Sequence, residues 1–295
     1  LMSSKPTHHW AYLAMGTSWA ISLWDEISEN EAEEIKTLIA EKSESFEALY
    51  SRFRKTSLLW QLTERRGLVP VPSDLVTMLR LYEKLHDLSG GKLNPLIGFT
   101  ISDMGYDAEK SLQPKEHIRE VPDFHKALKI VDDETIEVHE SVLMDLGALG
   151  KGYFVDQLAK FLTERGLKHF LVNGSGDISY KGNGEALRIG LEHPGDATKA
   201  IGIVEMKDGC MCSSAGNRRK WDKYHHTIDP HSRTSPNEIL ATWVIAKSTA
   251  IADGLATCLF FTEPERYEKD FAFEYCMMNK DNQVKRSKGF VAELF

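Results

Sequence analysis

Asp145-Leu-Gly-Ala-Leu-Gly-Lys-Gly152 places an acid, three glycines and a lysine within eight residues. Glycines let backbone N–H groups approach an anion, a following helix N-terminus adds partial positive charge, and Lys151 supplies a full one. The segment can cradle phosphate, and it can equally be a structural turn with a surface lysine. The spacing of a Walker A loop is absent. His226-Thr-Ile-Asp-Pro230 sets a histidine three residues from an aspartate, and histidine is the side chain best suited to take a proton near neutral pH. Surface histidines in a proline turn give the same pattern. Asp253-Gly-Leu-Ala-Thr257 puts a carboxylate and a hydroxyl four residues apart on one helical face, in an otherwise apolar segment. A buried carboxylate needs a partner there: a helix N-terminus, the Thr257 hydroxyl, or a hard cation such as Mg²⁺ that takes oxygen ligands. Asn173-Gly-Ser-Gly-Asp177 brings flexible backbone close to any ligand of the first segment, or simply makes a glycine hairpin.

These segments need elements to position them. Phe154, Leu158 and Leu162, with Val155 and Ala159 beside them, predict a helix from about Gly150 to Arg165 that stops at Gly166. Strands are expected at His169 to Asn173, Asp177 to Lys181, Leu187 to Glu192 and Ala241 to Ala246, the last before a helix beginning near Thr249. Leu128, Ile130, Ile136 and Val138 alternate around Asp132-Asp133-Glu134 as a hairpin would. Earlier, Ser73 after Pro72 is expected to cap a helix carrying Leu75, Met78, Leu79, Tyr82 and Leu85, which ends at Gly90-Gly91. Asn30 with Glu33 suggests a capping box for a long surface helix reaching about Tyr50. The expectation is one domain over 1–295, helix-rich to about residue 125 and mixed from 126 onward. Its class is α+β, with mixed and antiparallel sheets flanked by helices.

The balance of charge narrows the partners. Lys plus Arg is 36 and Asp plus Glu is 44, a formal net charge of −8, so nucleic acid and anionic lipid surfaces are poor fits. The apolar run from Ile251 to Phe261 is broken by Asp253 and Thr257 and falls short of the roughly 18 residues a membrane span needs, so no transmembrane segment is expected. Cys210, Cys212, Cys258 and Cys276 show neither zinc-ligand nor disulfide spacing, which predicts free thiols. Residues 1–10 lack the apolar core of a secretory signal, so the expected compartment is the cytoplasm.

Taken in order, the segments resemble the FAD:protein FMN transferase family, often called ApbE-like. The resemblance rests on Met15-Gly-Thr17, Tyr50-Ser-Arg-Phe-Arg-Lys-Thr-Ser57, Ser89-Gly-Gly-Lys-Leu-Asn-Pro95 and the four segments above, and it spans nearly the whole chain. It implies a T-fold-related α+β fold. It also implies that Asp145 and Lys151 contact FAD, and that the Ala148 carbonyl with Asp253 and Thr257 holds Mg²⁺. Met15, Phe53, Leu93 and Asn94 would line the flavin nucleotide. His226 would accept a proton with Asp229 orienting or neighbouring it, and Ile228 would touch the cofactor through its backbone. Leu93 and Asn94 stand where the family commonly has Phe and Asp, Ser175 where glycine is usual, and Phe53 where tyrosine is frequent. The implied activity is Mg²⁺-dependent transfer of FMN from FAD to a Thr or Ser hydroxyl of an acceptor flavoprotein, releasing AMP. Hydrolysis of FAD to FMN and AMP, or FAD carriage without turnover, are the alternatives.

Overall fold

A computed structural model describes residues 5–216 and 220–295; the first four residues of the N-terminal segment lie outside that range. The chain starts with a hairpin, β1 (His8–Ala14) and β2 (Thr17–Leu23), followed by α1 (Glu29–Tyr50) and α2 (Leu58–Leu62). Next come β3 (Gly67–Pro70), α3 (Ser73–Ser89), α4 (Gly98–Asp103), α5 (Phe124–Ala127), β4 (Leu128–Ile130) and β5 (Thr135–Val138). The second half runs α6 (Gly150–Glu164), β6 (His169–Gly174), β7 (Asp177–Gly182), β8 (Leu187–His193), β9 (Asp196–Met206) and β10 (Asp208–Ala215). It ends with β11 (Lys220–Trp221), β12 (Tyr224–His225), β13 (Ile239–Ala246), α7 (Thr249–Cys258), β14 (Phe273–Asn279), β15 (Val284–Arg286) and β16 (Ala292–Leu294).

Eight strands form one sheet in the order β1-β2-β6-β7-β10-β13-β14-β15, and each neighbouring pair is antiparallel. The alternation of an antiparallel strand sends successive side chains to opposite faces. On β10, Cys212 enters the core under the helices, whereas Met211 joins Tyr180, Trp243 and Met278 on the other face. That second face is closed by the small sheet β16-β9-β8 through Leu191, Val204 and Met206. Helices α6 and α7 lie on the first face with Phe154, Val155, Leu158, Ala252, Leu255 and Ala256 buried. All four cysteines are buried free thiols. No helix among the described residues is long and apolar enough to cross a membrane.

The class is α+β, and the expected helices from Gly150 and Thr249 are where periodicity puts them. Two helix starts differ. The N-cap of α1 is Ser28, whose side chain accepts from the N–H of Glu31, rather than Asn30, which lies inside the helix. Ser73 is the first helical residue of α3, and Pro72 occupies the cap without a side-chain bond, its fixed φ being compatible with helix entry. The helix-rich first half also opens with a hairpin that belongs to the large sheet, because β2 pairs with β6 from Trp19↔Gly174 to Leu23↔Phe170.

Candidate functional site

Position in the fold explains the first motif. Leu146 and Leu149 are buried, which pins the turn between them, and Gly150 begins α6. The Asp145 backbone N–H donates to the Pro95 carbonyl at 2.7 Å, and its Oδ1 accepts the Gly147 N–H at 2.7 Å, an Asx turn. Beneath the loop the buried Tyr82 hydroxyl donates to the Asp145 carbonyl and accepts the Ala148 N–H. Asp145 Oδ2 accepts from Arg52 Nε at 2.5 Å. Arg52 is itself buried, donates to the Tyr106 carbonyl, and lies over the rings of Phe53 and Tyr106.

The second motif couples to the first across a helix crossing. Asp253 on α7 is 3% exposed, and its Oδ2 accepts the Gly152 N–H at 3.0 Å. Asp156 on α6 reaches the start of α7, where its carboxylate accepts from the N–H groups of Thr249 and Ala250 and from the Ser248 hydroxyl. That carboxylate satisfies donors a helix start leaves open. Lys151, next to Gly152, is ion-paired with Asp177 at the first position of β7 and lies 3.7 Å from Asp253 Oδ2. Two carboxylates thus face one ammonium in a buried setting. Burial and the neighbouring Asp177 charge push the Asp253 carboxyl up to about 8. Burial works against the charge on Lys151, but Asp177 and Asp253 outweigh it and raise its affinity for the proton. Asp177 is 1% exposed, and its Oδ1 has no hydrogen-bond partner among the described residues.

The predicted residues converge. Phe53, Leu93, Asn94, Asp145, Ala148, Lys151, His226, Ile228, Asp253 and Thr257 all line one cavity of about 510 Å³. Met15 lines a smaller adjoining pocket of about 210 Å³ that shares Phe53, Asp145 and Lys151 with the first. Met15 and Gly16 are the two residues of the β1–β2 turn, both at positive φ, and the Met15 N–H is held by Glu47 Oε2 at 2.8 Å. Ser175 likewise takes φ 62°, in the β6–β7 turn where glycine would be free of strain, and it faces the cavity.

Asn94, Asp229 and His225 have other commitments. The Asn94 amide accepts from the Leu96 N–H and donates to the Pro122 carbonyl, so its polar atoms hold backbone at the cavity wall. Asp229 caps its own turn by accepting from the His231 and Ser232 N–H groups and pairs with Lys92. His225 is buried, donating from Nε2 to the Pro236 carbonyl and accepting the Thr227 N–H, and burial holds it below the ordinary histidine value. The neighbouring His226, half-buried, is the one on the cavity. Sequence reasoning missed Arg52, Tyr82 and Asp177, although Arg52 and Asp177 sit inside segments it had singled out.

The ApbE family model matches residues 15–274. The chain belongs to the ApbE family. Its relatives include the FAD:protein FMN transferase of Escherichia coli K12, 28% identical over 278 residues that cover 85% of this chain and 77% of the relative. The Vibrio cholerae FAD:protein FMN transferase is 27% identical over 271 residues, covering 85% and 80%. The fold is also that of solved ApbE structures. The flavin transferase ApbE from Vibrio cholerae superposes with a TM-score of 0.79 at 24% identity, over 96% of this chain and 97% of that one. The ApbE protein of Thermotoga maritima gives 0.81 at 20% identity, over 96% and 97%. The matched segment includes all eleven residues that line the two adjoining pockets as expected.

Proposed function

We propose that this ApbE-family chain is an FAD:protein FMN transferase that moves FMN from FAD to a Thr or Ser hydroxyl of an acceptor flavoprotein and releases AMP. The observation that carries the reading is that Lys151, held by the buried Asp177 and 3.7 Å from the buried Asp253, lines one cavity together with Asp253 and His226. A pyrophosphate accumulates charge on the leaving phosphate, and a fixed ammonium in a site of low dielectric is suited to offset it. Asp253, Thr257 and Ala148 bring carboxylate, hydroxyl and backbone carbonyl oxygens to one cavity wall, Thr257 four residues after Asp253 on α7. Together with the unpartnered Asp177 Oδ1 and the raised affinity of Asp253 for a proton, this suits a hard divalent cation. Asp253, Thr257 and Ala148 would hold Mg²⁺, which supplies Lewis-acid neutralisation of the phosphates. His226 takes the proton from the acceptor hydroxyl as its oxygen bonds to the flavin-side phosphorus. The bond from that phosphorus to the bridging oxygen breaks, and AMP leaves with the electron pair. Phe53 and Ile228 give the flavin apolar contact, and Arg52 keeps Asp145 and Phe53 in place.

The test is incubation with FAD and Mg²⁺, with and without a flavoprotein domain bearing a candidate threonine, read by intact mass and nucleotide chromatography. An FMN-sized mass gain on the acceptor with stoichiometric AMP is expected. Free FMN and AMP without acceptor labelling would assign a hydrolase, and intact bound FAD with every acceptor would assign a carrier.

A further inference from the structure

A second cluster of ligating side chains lies outside the flavin cavity, at the C-terminal end of α3. Glu83, His86 and Asp87 fall at i, i+3 and i+4 and therefore share one face of that helix. The short helix α5 brings His125 against it, anchored by the fully buried Phe124 and capped by Asp123. One ligand atom each from His86, Asp87 and His125 lies within 4.8 Å of the others. His86 is already oriented for a metal. His86 Nδ1 lies 3.1 Å from the Leu93 carbonyl, so this nitrogen donates and Nε2 keeps its lone pair. His125 Nε2 hydrogen-bonds Asp87 Oδ1 at 2.7 Å, a contact that a bound ion would replace, and the Glu83 carboxylate lies 3.8 Å from its Nδ1. A ligating histidine whose other nitrogen is fixed by a carbonyl or carboxylate is the recurrent outer arrangement of protein metal sites.

We infer that His86, Asp87 and His125 form a site for a divalent transition-metal ion of the Zn²⁺ or Co²⁺ type. Two imidazoles and a carboxylate select such ions over Mg²⁺, which prefers oxygen donors and gives up water reluctantly. Three protein ligands leave a fourth position for water on the groove lined by His86, Asp87 and His231.

The test uses the tag-free full chain in millimolar Mg²⁺, titrated with Co²⁺ and followed by visible absorption, with bound Zn²⁺ then counted after dialysis. One ion per chain is expected. Asp87→Asn and His125→Gln, both at exposed positions, should each weaken binding at least tenfold, and the double variant should lose it while melting like the parent. Asp253→Asn should leave this binding in place. No Co²⁺ or Zn²⁺ bound in Mg²⁺, unchanged binding in the double variant, or loss in Asp253→Asn would each overturn the assignment. Neither result bears on flavin transfer, because none of the three residues lines that cavity.

Discussion

The backbone N–H of Gly152 donates to Oδ2 of Asp253 at 3.0 Å, across the crossing of α6 and α7. The glycine turn and the carboxylate helix are thereby one unit, although 101 residues separate them. Close approach of the two helices requires the missing side chain. A Cβ at position 152 would stand 2.4 Å from the Thr249 carbonyl oxygen and 2.8 Å from the Asp253 Cβ.

Gly152→Ala is therefore expected to destabilise the protein. Helix propensity alone would favour alanine by about 1 kcal/mol. The clash is with backbone, which no rotamer change relieves, and overpacking of this kind costs about 1–3 kcal/mol. Thermal melting should show a drop of several degrees, and metal-dependent activity should fall further than the stability loss explains, because Asp253 is displaced. A variant that melts at or above the parent temperature would show that the crossing has slack.

The Asp253 carboxyl, pushed up to about 8 by burial and by Asp177, makes a pH prediction with a definite sign. In the unfolded chain a carboxyl titrates near its ordinary value of about 3.9. Between that value and about 8 the folded state holds a proton that the unfolded state has released, so this group's contribution to stability falls as pH rises across the window and levels off above it. Asp253→Asn cannot ionise and should gain melting temperature relative to the parent at pH 8 but not at pH 4, while losing Mg²⁺-dependent turnover. Parallel melting curves for the two proteins across that range would refute the assignment. The proposed Mg²⁺ site requires the carboxylate, so any Mg²⁺ affinity of the parent should strengthen as pH rises toward 8.

Much of this was readable in the chain, and what was hidden was hidden for a physical reason. The extent of α6 follows from apolar periodicity and the glycine after its end, and the start of α7 from the apolar run after Ser248, all of which are local. The pairing of Lys151 with Asp177 depends on where β7 begins beneath α6, and a register is set by tertiary packing. Arg52 and Asp145 are 93 residues apart and meet only once α1 has delivered the Tyr50–Ser57 segment to the turn. Asn94 lies on the wall of the cavity, yet its amide is consumed by the Leu96 and Pro122 backbone, which no residue type announces.

Arg52→Ala should show how much that long-range pair matters. The guanidinium is buried and Asp145 is only partly exposed, so removal strands a carboxylate and the Tyr106 carbonyl together. Breaking a buried pair typically costs about 3–5 kcal/mol, and the partial access of Asp145 to water puts this one at the lower end. Arg52→Lys should recover only part of the loss, since one ammonium cannot reproduce the planar fork between Asp145 and Tyr106. Chemical denaturation measures the stability and flavin fluorescence titration the affinity; full rescue by lysine would reduce the interaction to simple charge.

Adjacent histidines should separate structure from chemistry. His225 bridges the Pro236 carbonyl and the Thr227 N–H with both ring nitrogens, and each buried group left unmatched by His225→Ala costs about 1–3 kcal/mol. That variant should unfold more readily and lose activity in proportion to its unfolded fraction. His226 lines the cavity instead, and removing a general base typically lowers a rate by about 10² to 10⁴. His226→Ala should therefore keep the parent melting temperature and FAD affinity while transfer to the acceptor falls by at least a hundredfold. Measuring melting, FAD binding and AMP release side by side distinguishes the two. Transfer at the parent rate in a folded His226→Ala protein would remove His226 from the proton-transfer step and leave Lys151 and the carboxylates to account for the chemistry.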